Sequence, residues 1–262
     1  MKQRSSSGEG ALPESVRRLT TLLLLLAVWH GVALILAKPI LPTPLAVLGV
    51  LFSRRLGPLS LHVAASLGRV VASIAIAIGL AAPAGLVLGQ SRSLNQLFAP
   101  LVYLLYPVPK VVLVPVVLLL FGVGDLPKIL IITLILFFQI LVLVRDAALG
   151  IRPELLLSVR SLGAGRRALF RFVYLPASLP AILTAVRQSI GTALAVLYVA
   201  ELFATRYGLG YYIYYQGSTL FDYPAMYAGI VLMSILGFGL YTAVDGIERR
   251  LCPWTTEREV SP

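Results

Sequence analysis

Charge is scarce in this chain. Only 13% of its 262 residues are Asp, Glu, Lys or Arg, against about 25% in an average soluble domain. Acid is scarcer than base, with 11 Asp and Glu against 22 Lys and Arg. The single cysteine, Cys252, excludes an internal disulfide and any multi-cysteine metal site. Two histidines, His30 and His62, are too few to build a metal-ligand cluster. There is no GxxxxGK[ST] phosphate loop, so the chain has no such means of binding and hydrolysing ATP. The lone GAG at Gly163–Gly165 is flanked by arginines but carries no further nucleotide fingerprint. HExxH, GxSxG and a catalytic carboxylate pair are all missing, and no constellation argues for an enzyme. The apolar runs also lack the series of acidic residues expected of a proton- or sodium-coupled pump.

What the chain has in excess is hydrophobicity: 58% of its residues are apolar and its mean hydropathy is +0.91. The excess lies in long runs, as spanning helices require; roughly 20 apolar residues cross a hydrocarbon core of about 30 Å. A membrane barrel would instead show short alternating segments. The sequence therefore predicts an all-α, polytopic membrane protein. The net charge of +11 suits positive-inside loops better than nucleic acid, because most Lys and Arg cluster in alternate short loops.

Residues 1–18 are polar and Ser-rich and read as a disordered cytoplasmic tail. Residues 19–37 form the first span, too long for a signal h-region and without a clear cleavage site. Between 38 and 60 the chain is punctuated by proline, with a short interfacial helix at 45–56 whose Arg54 and Arg55 snorkel. The second span, 62–89, is rich in small residues (Ala64, Ala65, Ser66, Gly68, Ala72, Ser73, Ala75, Ala77, Gly79), so it is expected to pack closely against other helices. Residues 90–95 make a short inner loop. The third span, 97–121, contains Pro100, Pro107, Pro109 and Pro115, which preclude an unbroken helix. Irregular backbone at membrane depth survives only against protein or a water-filled cavity, so this span is a candidate for lining a pathway. Its Lys110 either faces that pathway or snorkels from an interface. The fourth span, 126–144, holds Gln139, a helix–helix hydrogen bond or a solute contact. The fifth, 177–203, holds Arg187 and Glu201, each a functional candidate or a contact to a neighbouring helix. A tyrosine-dense outer loop, 204–222, is an aromatic belt or a docking surface. The sixth span is 224–244, and both termini are placed in the cytoplasm.

The chain is organised around residues 154–180, ELLLSVRSLGAGRRALFRFVYLPASLP. Its arginines forbid burial in lipid, where a central charge costs roughly 2.5–3.5 kcal/mol. Leu155, Leu156, Val159 and Leu162 recur at helical spacing, Gly163 interrupts them, and Leu169, Phe172 and Val173 resume the pattern. This predicts two short amphipathic helices about a glycine elbow, closed by Pro176 and Pro180, able to dock in a groove on a soluble partner.

That stretch resembles the "EAA loop" of importer-type ABC transporter permeases: a short turn, a glycine (Gly163), nine residues, an apolar residue (Val173), any residue, then Leu175-Pro176. SLGAGRRALFRFVYLPASLPAI is similar to the branch importing nitrate, sulfonates and taurine, as are LPTPLAVL, SLGRV, YPVPKVVLVPVVLLLFGVG and RQSIGTALAVLYVAELF followed by GLGYYI. The family's glutamate falls on Leu157 and its alanines on Ser158 and Val159, so its acidic contact is missing; Glu154 lies one turn earlier. The resemblance implies a six-helix, type I ABC importer permease fold with cytoplasmic coupling helices: a tail at 1–18, a transmembrane domain at 19–250 with the coupling loop about 150–176, and a tail at 251–262. It implies a non-catalytic subunit without a cofactor, ATP being bound by partner subunits. The partners would be a second copy of the chain, two ABC ATPase subunits and an extracytoplasmic substrate-binding protein in a bacterial inner membrane. ATPase coupling would fall to Leu157, Ser158, Val159, Arg160, Ser161, Leu162, Gly163 and Ala164, and the translocation pathway to Lys110, Gln139, Arg187 and Glu201. A stand-alone channel or secondary transporter is the alternative, and an intramembrane enzyme or scaffold a further one.

Overall fold

A computed structural model describes residues 13–53, 56–203 and 205–256. The snorkelling expected of Arg54 and Arg55 lies outside the described residues, as do most of the two tails. The described chain is helical throughout, in the order α1 (Glu14–Leu36), α2 (Pro44–Phe52), α3 (Leu56–Gln90), α4 (Arg92–Leu105), a 3-10 turn (Lys110–Leu113), α5 (Val114–Phe121), α6 (Asp125–Leu149), α7 (Pro153–Ser161), α8 (Arg166–Leu169), a π-helical turn (Phe170–Tyr174), α9 (Leu175–Glu201), α10 (Leu209–Tyr214), a second π-helical turn (Tyr215–Thr219), α11 (Tyr223–Leu251) and α12 (Pro253–Thr256). Among the described residues five helices are long and apolar enough to cross a membrane, or six if α4 and α5, which bend by 75° at their break, count as one broken span. The count of six agrees with the expected spans.

The bend follows from its prolines. In a continuous helix residue 109 would donate to the Leu105 carbonyl, but Pro109 has no N–H. Lys110 supplies the missing donor: its Nζ donates to the carbonyls of Leu105 at 2.7 Å, Tyr106 at 3.2 Å and Val108 at 3.3 Å. The core lies where α3, α6 and α9 meet, with Val70, Ala77 and Ala81 from α3, Ile132, Leu136 and Ile140 from α6, and Ala185, Ala193 and Leu197 from α9 fully buried. A β-carbon on Gly85 would lie 2.9 Å from the Leu141 carbonyl oxygen of α6. In lipid, such small residues let two helices approach and pack. Only part of the small-residue set expected to pack does so: Ser66, Ser73 and Ala77 are buried, whereas Ala64, Gly68, Ala75 and Gly79 are exposed on the opposite side of α3. A single helix cannot bury all round against one neighbour, and the composition of the run does not say which side is chosen.

Four boundaries differ from expectation. Helix α1 starts at Glu14, ahead of the expected residue 19. The inner loop at 90–95 reduces to Ser91, whose Oγ accepts from the Leu94 N–H at 3.4 Å and caps α4. The outer loop at 204–222 is largely helical, as α10 and the turn after it. Pro176 and Pro180 do not close the second amphipathic helix, which runs on as a continuous helix from Arg166 to Glu201. A π-helical turn just before Pro176, with the Leu175 N–H reaching back to the Phe170 carbonyl, carries the chain past the proline without a break. Helix α1 is the least packed span: Leu22, Leu23, Leu24 and Leu25 are exposed. Trp29 ties it down, donating to the Pro42 carbonyl at 3.1 Å and stacking on Tyr227 with ring centres 5.8 Å apart.

Candidate functional site

The organising stretch forms two helices, α7 and α8, joined by a turn at Gly163. Helix α7 begins with Pro153 at its first turn and Glu154 beside it, both suited to a helix N-terminus. It buries no residue, and Leu157 and Leu162 stand 62% and 85% exposed. Ser158 and Ser161 spend their hydroxyls on the carbonyls of Glu154 at 2.9 Å and Ser158 at 2.8 Å, while Val159 is half-buried toward the core and Arg160 points outward. Gly163 turns the chain with φ +81°, a conformation glycine adopts without steric cost. Ala164 packs against the core and leads into α8. Helix α8 is continuous with α9, so α7 is joined through one elbow to a spanning helix.

The four candidate pathway residues separate. Lys110 and Gln139 come together in a cleft of about 340 Å³, lined also by Tyr106, Phe138, Thr192 and Val196. Lys110 is 9% exposed: its ammonium is held by three carbonyls and lies 4.4 Å from the centre of the Phe138 ring. Gln139 Nε2 donates to Thr192 Oγ1 on α9 at 3.3 Å, while its Oε1 is buried without a partner. Arg187 and Glu201 are not in this cleft. Arg187 joins α9 to α11, its Nη2 2.8 Å from Glu248 and its Nη1 3.3 Å from Asp245. Glu201 is fully buried at the far end of α9.

Around Glu201 lies a polar cluster that the sequence reading passed over. Arg69 Nη1 donates to Glu201 Oε1 at 2.5 Å and to the Tyr207 carbonyl at 2.8 Å, and its Nη2 lies 2.6 Å from Asp125. Ser66 Oγ donates to Glu201 Oε1 at 2.8 Å and accepts from the Leu209 N–H at 2.8 Å. Gly210 N–H donates to Glu201 Oε2 at 2.7 Å, and Gly208 N–H to His62 Nδ1 at 3.1 Å. Gly208 has φ +147° and packs directly on the carboxylate, which leaves no room for a β-carbon. Buried Lys128 donates to the Gly124 carbonyl at 2.7 Å. The available signal was an arginine standing inside the small-residue run of the second span, which the rule for intramembrane charges flags as readily as Arg187. Beyond the last span, Cys252 is fully buried, and burial together with the Glu248 carboxylate raises its thiol pKa above the ordinary value.

Among the described residues no group of three or more His, Cys, Asp or Glu side chains is arranged to hold a metal ion. The arrangement presents an exposed short helix joined by one elbow to a spanning helix, and a mainly apolar cleft that carries Lys110, Gln139 and Thr192. A family model described as "Binding-protein-dependent transport system inner membrane component" matches residues 73–253. The taurine transport system permease protein TauC of Escherichia coli (strain K12) is 34% identical over 246 residues, covering 90% of this chain and 89% of that protein. The riboflavin transport system permease protein RibX of Chloroflexus aurantiacus is 32% identical over 237 residues, covering 89% and 88%. In fold, the chain is similar to one in the inward-facing MetNI methionine ABC transporter, with a TM-score of 0.68, 22% identity and coverage of 76% and 99%.

Proposed function

Since the chain belongs to the binding-protein-dependent transport system inner membrane components, a multi-pass, non-catalytic permease subunit of an ABC importer, we propose that it is driven through α7 and conducts a small solute with an anionic group. Leu157, Ser158, Val159, Arg160, Ser161, Leu162, Gly163 and Ala164 are the surface that separate ATPase subunits grip. The observation carrying this is the exposed leucine-bearing α7, joined by the single elbow at Gly163 to a continuous helix ending at Glu201. Closure of the ATPases on ATP moves α7 as a lever and switches access to the pathway.

Two copies of the chain enclose that pathway, and an extracytoplasmic binding protein delivers the solute. Both termini and α7 lie in the cytoplasm, an orientation that the basic residues around α7 support. Lys110 and Gln139 face the solute; Arg187 and Glu201 hold α9 to its neighbours. Lys110 is a buried cation that forms no ion pair among the described residues, which favours a solute with an anionic group, such as nitrate, a sulfonate or the sulfonate end of zwitterionic taurine. TauC, named for taurine transport, supports that class; RibX, named for riboflavin transport, shows that relatedness alone does not settle the solute. ATP is bound by the partner subunits and not by this chain.

The test is recovery of the tagged chain from its native membrane in mild detergent, followed by mass spectrometry. A P-loop ATPase retained with the wild type and released by Leu157→Asp supports the reading. The chain recovered alone, in several detergents and with an ATP analogue present, would put the stand-alone transporter in its place.

A further inference from the structure

Beside α7, the α3–α4 turn and the α7–α8 elbow line an open cleft of about 440 Å³. Arg92, Arg160 and Arg166 line it, with Gln90 and Tyr174, and no acidic residue is in the lining. None of the three guanidinium groups forms an ion pair among the described residues. The Gln90 side-chain Nε2 is buried without an acceptor. Three cations and an orphaned donor around one space call for an anion rich in acceptor oxygens.

A second cavity, of about 350 Å³, adjoins the first and shares Val87 and Leu94 with it. Its lining is wholly apolar, with Phe98, Leu101 and Val102 of α4 facing Phe137 and Leu141 of α6. The pair thus offers a basic chamber at the end of the bundle and an apolar groove leading from it along the spans. A free inorganic anion fills only the first. A phospholipid, with its phosphate and acyl chain joined, fills both, and basic pockets between membrane helices are suited to lipid headgroups.

We propose that this pair of cavities is a binding site for one anionic phospholipid, its headgroup phosphate held by Arg92, Arg160, Arg166 and the Gln90 amide, and one acyl chain lying in the groove between α3, α4 and α6. The lipid then bridges the α3–α4 turn to the elbow at Gly163, so that membrane composition acts on the lever itself. The site goes beyond the solute pathway and does not depend on it.

The experiment is native mass spectrometry of the purified complex, full chain with its partner subunits, titrated with phosphatidylglycerol or phosphatidylcholine. The wild type is expected to retain phosphatidylglycerol selectively. Substituting all three arginines (Arg92→Gln, Arg160→Gln, Arg166→Gln) should weaken retention about 100-fold, at roughly one interfacial basic residue per several-fold of affinity. Leu101→Trp, which fills the groove and leaves the arginines alone, should weaken it separately. Arg249→Gln with Arg250→Gln, basic residues elsewhere on the same end, should not. Equal retention of both lipids, or unchanged retention in the triple and Leu101→Trp variants, overturns the proposal. Stabilisation of the wild type by inorganic phosphate without phosphatidylglycerol binding overturns it too, and assigns the arginine chamber to a free anion. Arg160 also belongs to the surface proposed for the ATPase, so the triple variant is compared with the double variant Arg92→Gln with Arg166→Gln, whose residues lie outside that surface. The readout is lipid and not uptake, so loss of retention in that double variant with the partner subunits still bound separates this site from the coupling role of α7.

Discussion

At the Glu201 end of α9 a buried carboxylate is paired within the chain, whereas at the Arg166 end leucines and arginines stand exposed. Glu201 is met by Arg69, Ser66 and the Gly210 N–H. Leu157 and Leu162 are met by nothing in the core, and Arg160 and Arg166 form no ion pair among the described residues. The Arg166–Glu201 helix is thus held at both ends, by the polar cluster at Glu201 and by buried Leu169, Val173 and Tyr174 near Arg166, and it is α7 and the elbow before it that carry the exposed leucines. On the proposed function, the anchored helix is what is moved and the exposed α7 is what is gripped.

Breaking the Glu201 end should have the largest effect. Removing one member of a buried ion pair leaves its partner charged and uncompensated, at a cost of about 3–5 kcal/mol. Glu201→Ala should therefore lower the melting temperature of the purified chain more than any other substitution at either end, with Arg69→Ala close behind. The double variant Glu201→Leu with Arg69→Leu should recover part of the loss, because it removes both charges together. A Glu201→Ala protein melting like the wild type would show that the cluster does not fix this end.

The Glu201 end was also the part least legible in the sequence. Glu201 was visible as a charge at the end of an apolar run, but its partner Arg69 lies 132 positions away in another span, and nothing local links them. The α10 segment was hidden for the same reason. Its glycines and tyrosines look like a loop, and it is held by tertiary contacts: Gly208 to His62, Leu209 to Ser66, Gly210 to Glu201. By contrast, the spans, the break at Pro107 and Pro109 and the elbow at Gly163 were legible, because each depends on local backbone chemistry or on a long run of one polarity. Pro176 misled for a physical reason. Proline marks a helix end when the ladder keeps its ordinary register, and here a π-helical turn shifts that register first.

The elbow gives a smaller effect of another kind. At φ +81° a β-branched side chain is strained by roughly 1–2 kcal/mol, while nothing lies within 4 Å of the added β-carbon. Gly163→Val should accordingly insert and melt within a few degrees of the wild type, yet show ATP hydrolysis by the assembled transporter no longer matched by uptake. Gly163→Asn, which tolerates positive φ better, should fall between the two. Full coupling in Gly163→Val would remove the elbow from the lever and leave the difference between the two ends without a mechanical use.

The smallest effect is expected at Arg187, which sharpens the comparison because it also pairs across helices and yet lies toward the Arg166 end. Its two partners differ: Glu248, at 2.8 Å and 15% exposed, pairs with Arg187 alone among the described residues, whereas Asp245 is less committed. Asp245 is shared with Arg249 at 3.0 Å, so removing Arg187 does not leave that carboxylate alone, and both it and Arg187 are partly exposed. Partly solvated pairs of this kind contribute about 0–1 kcal/mol. Arg187→Gln, which leaves only Glu248 without its cation, should thus lower the melting temperature by less than Glu201→Ala does, keep the ATPase bound and leave uptake nearly unchanged. Uptake lost at an unchanged melting temperature would have a different meaning: Arg187 would then meet the solute, and the pathway would reach past the Lys110 and Gln139 cleft to the α9–α11 contact.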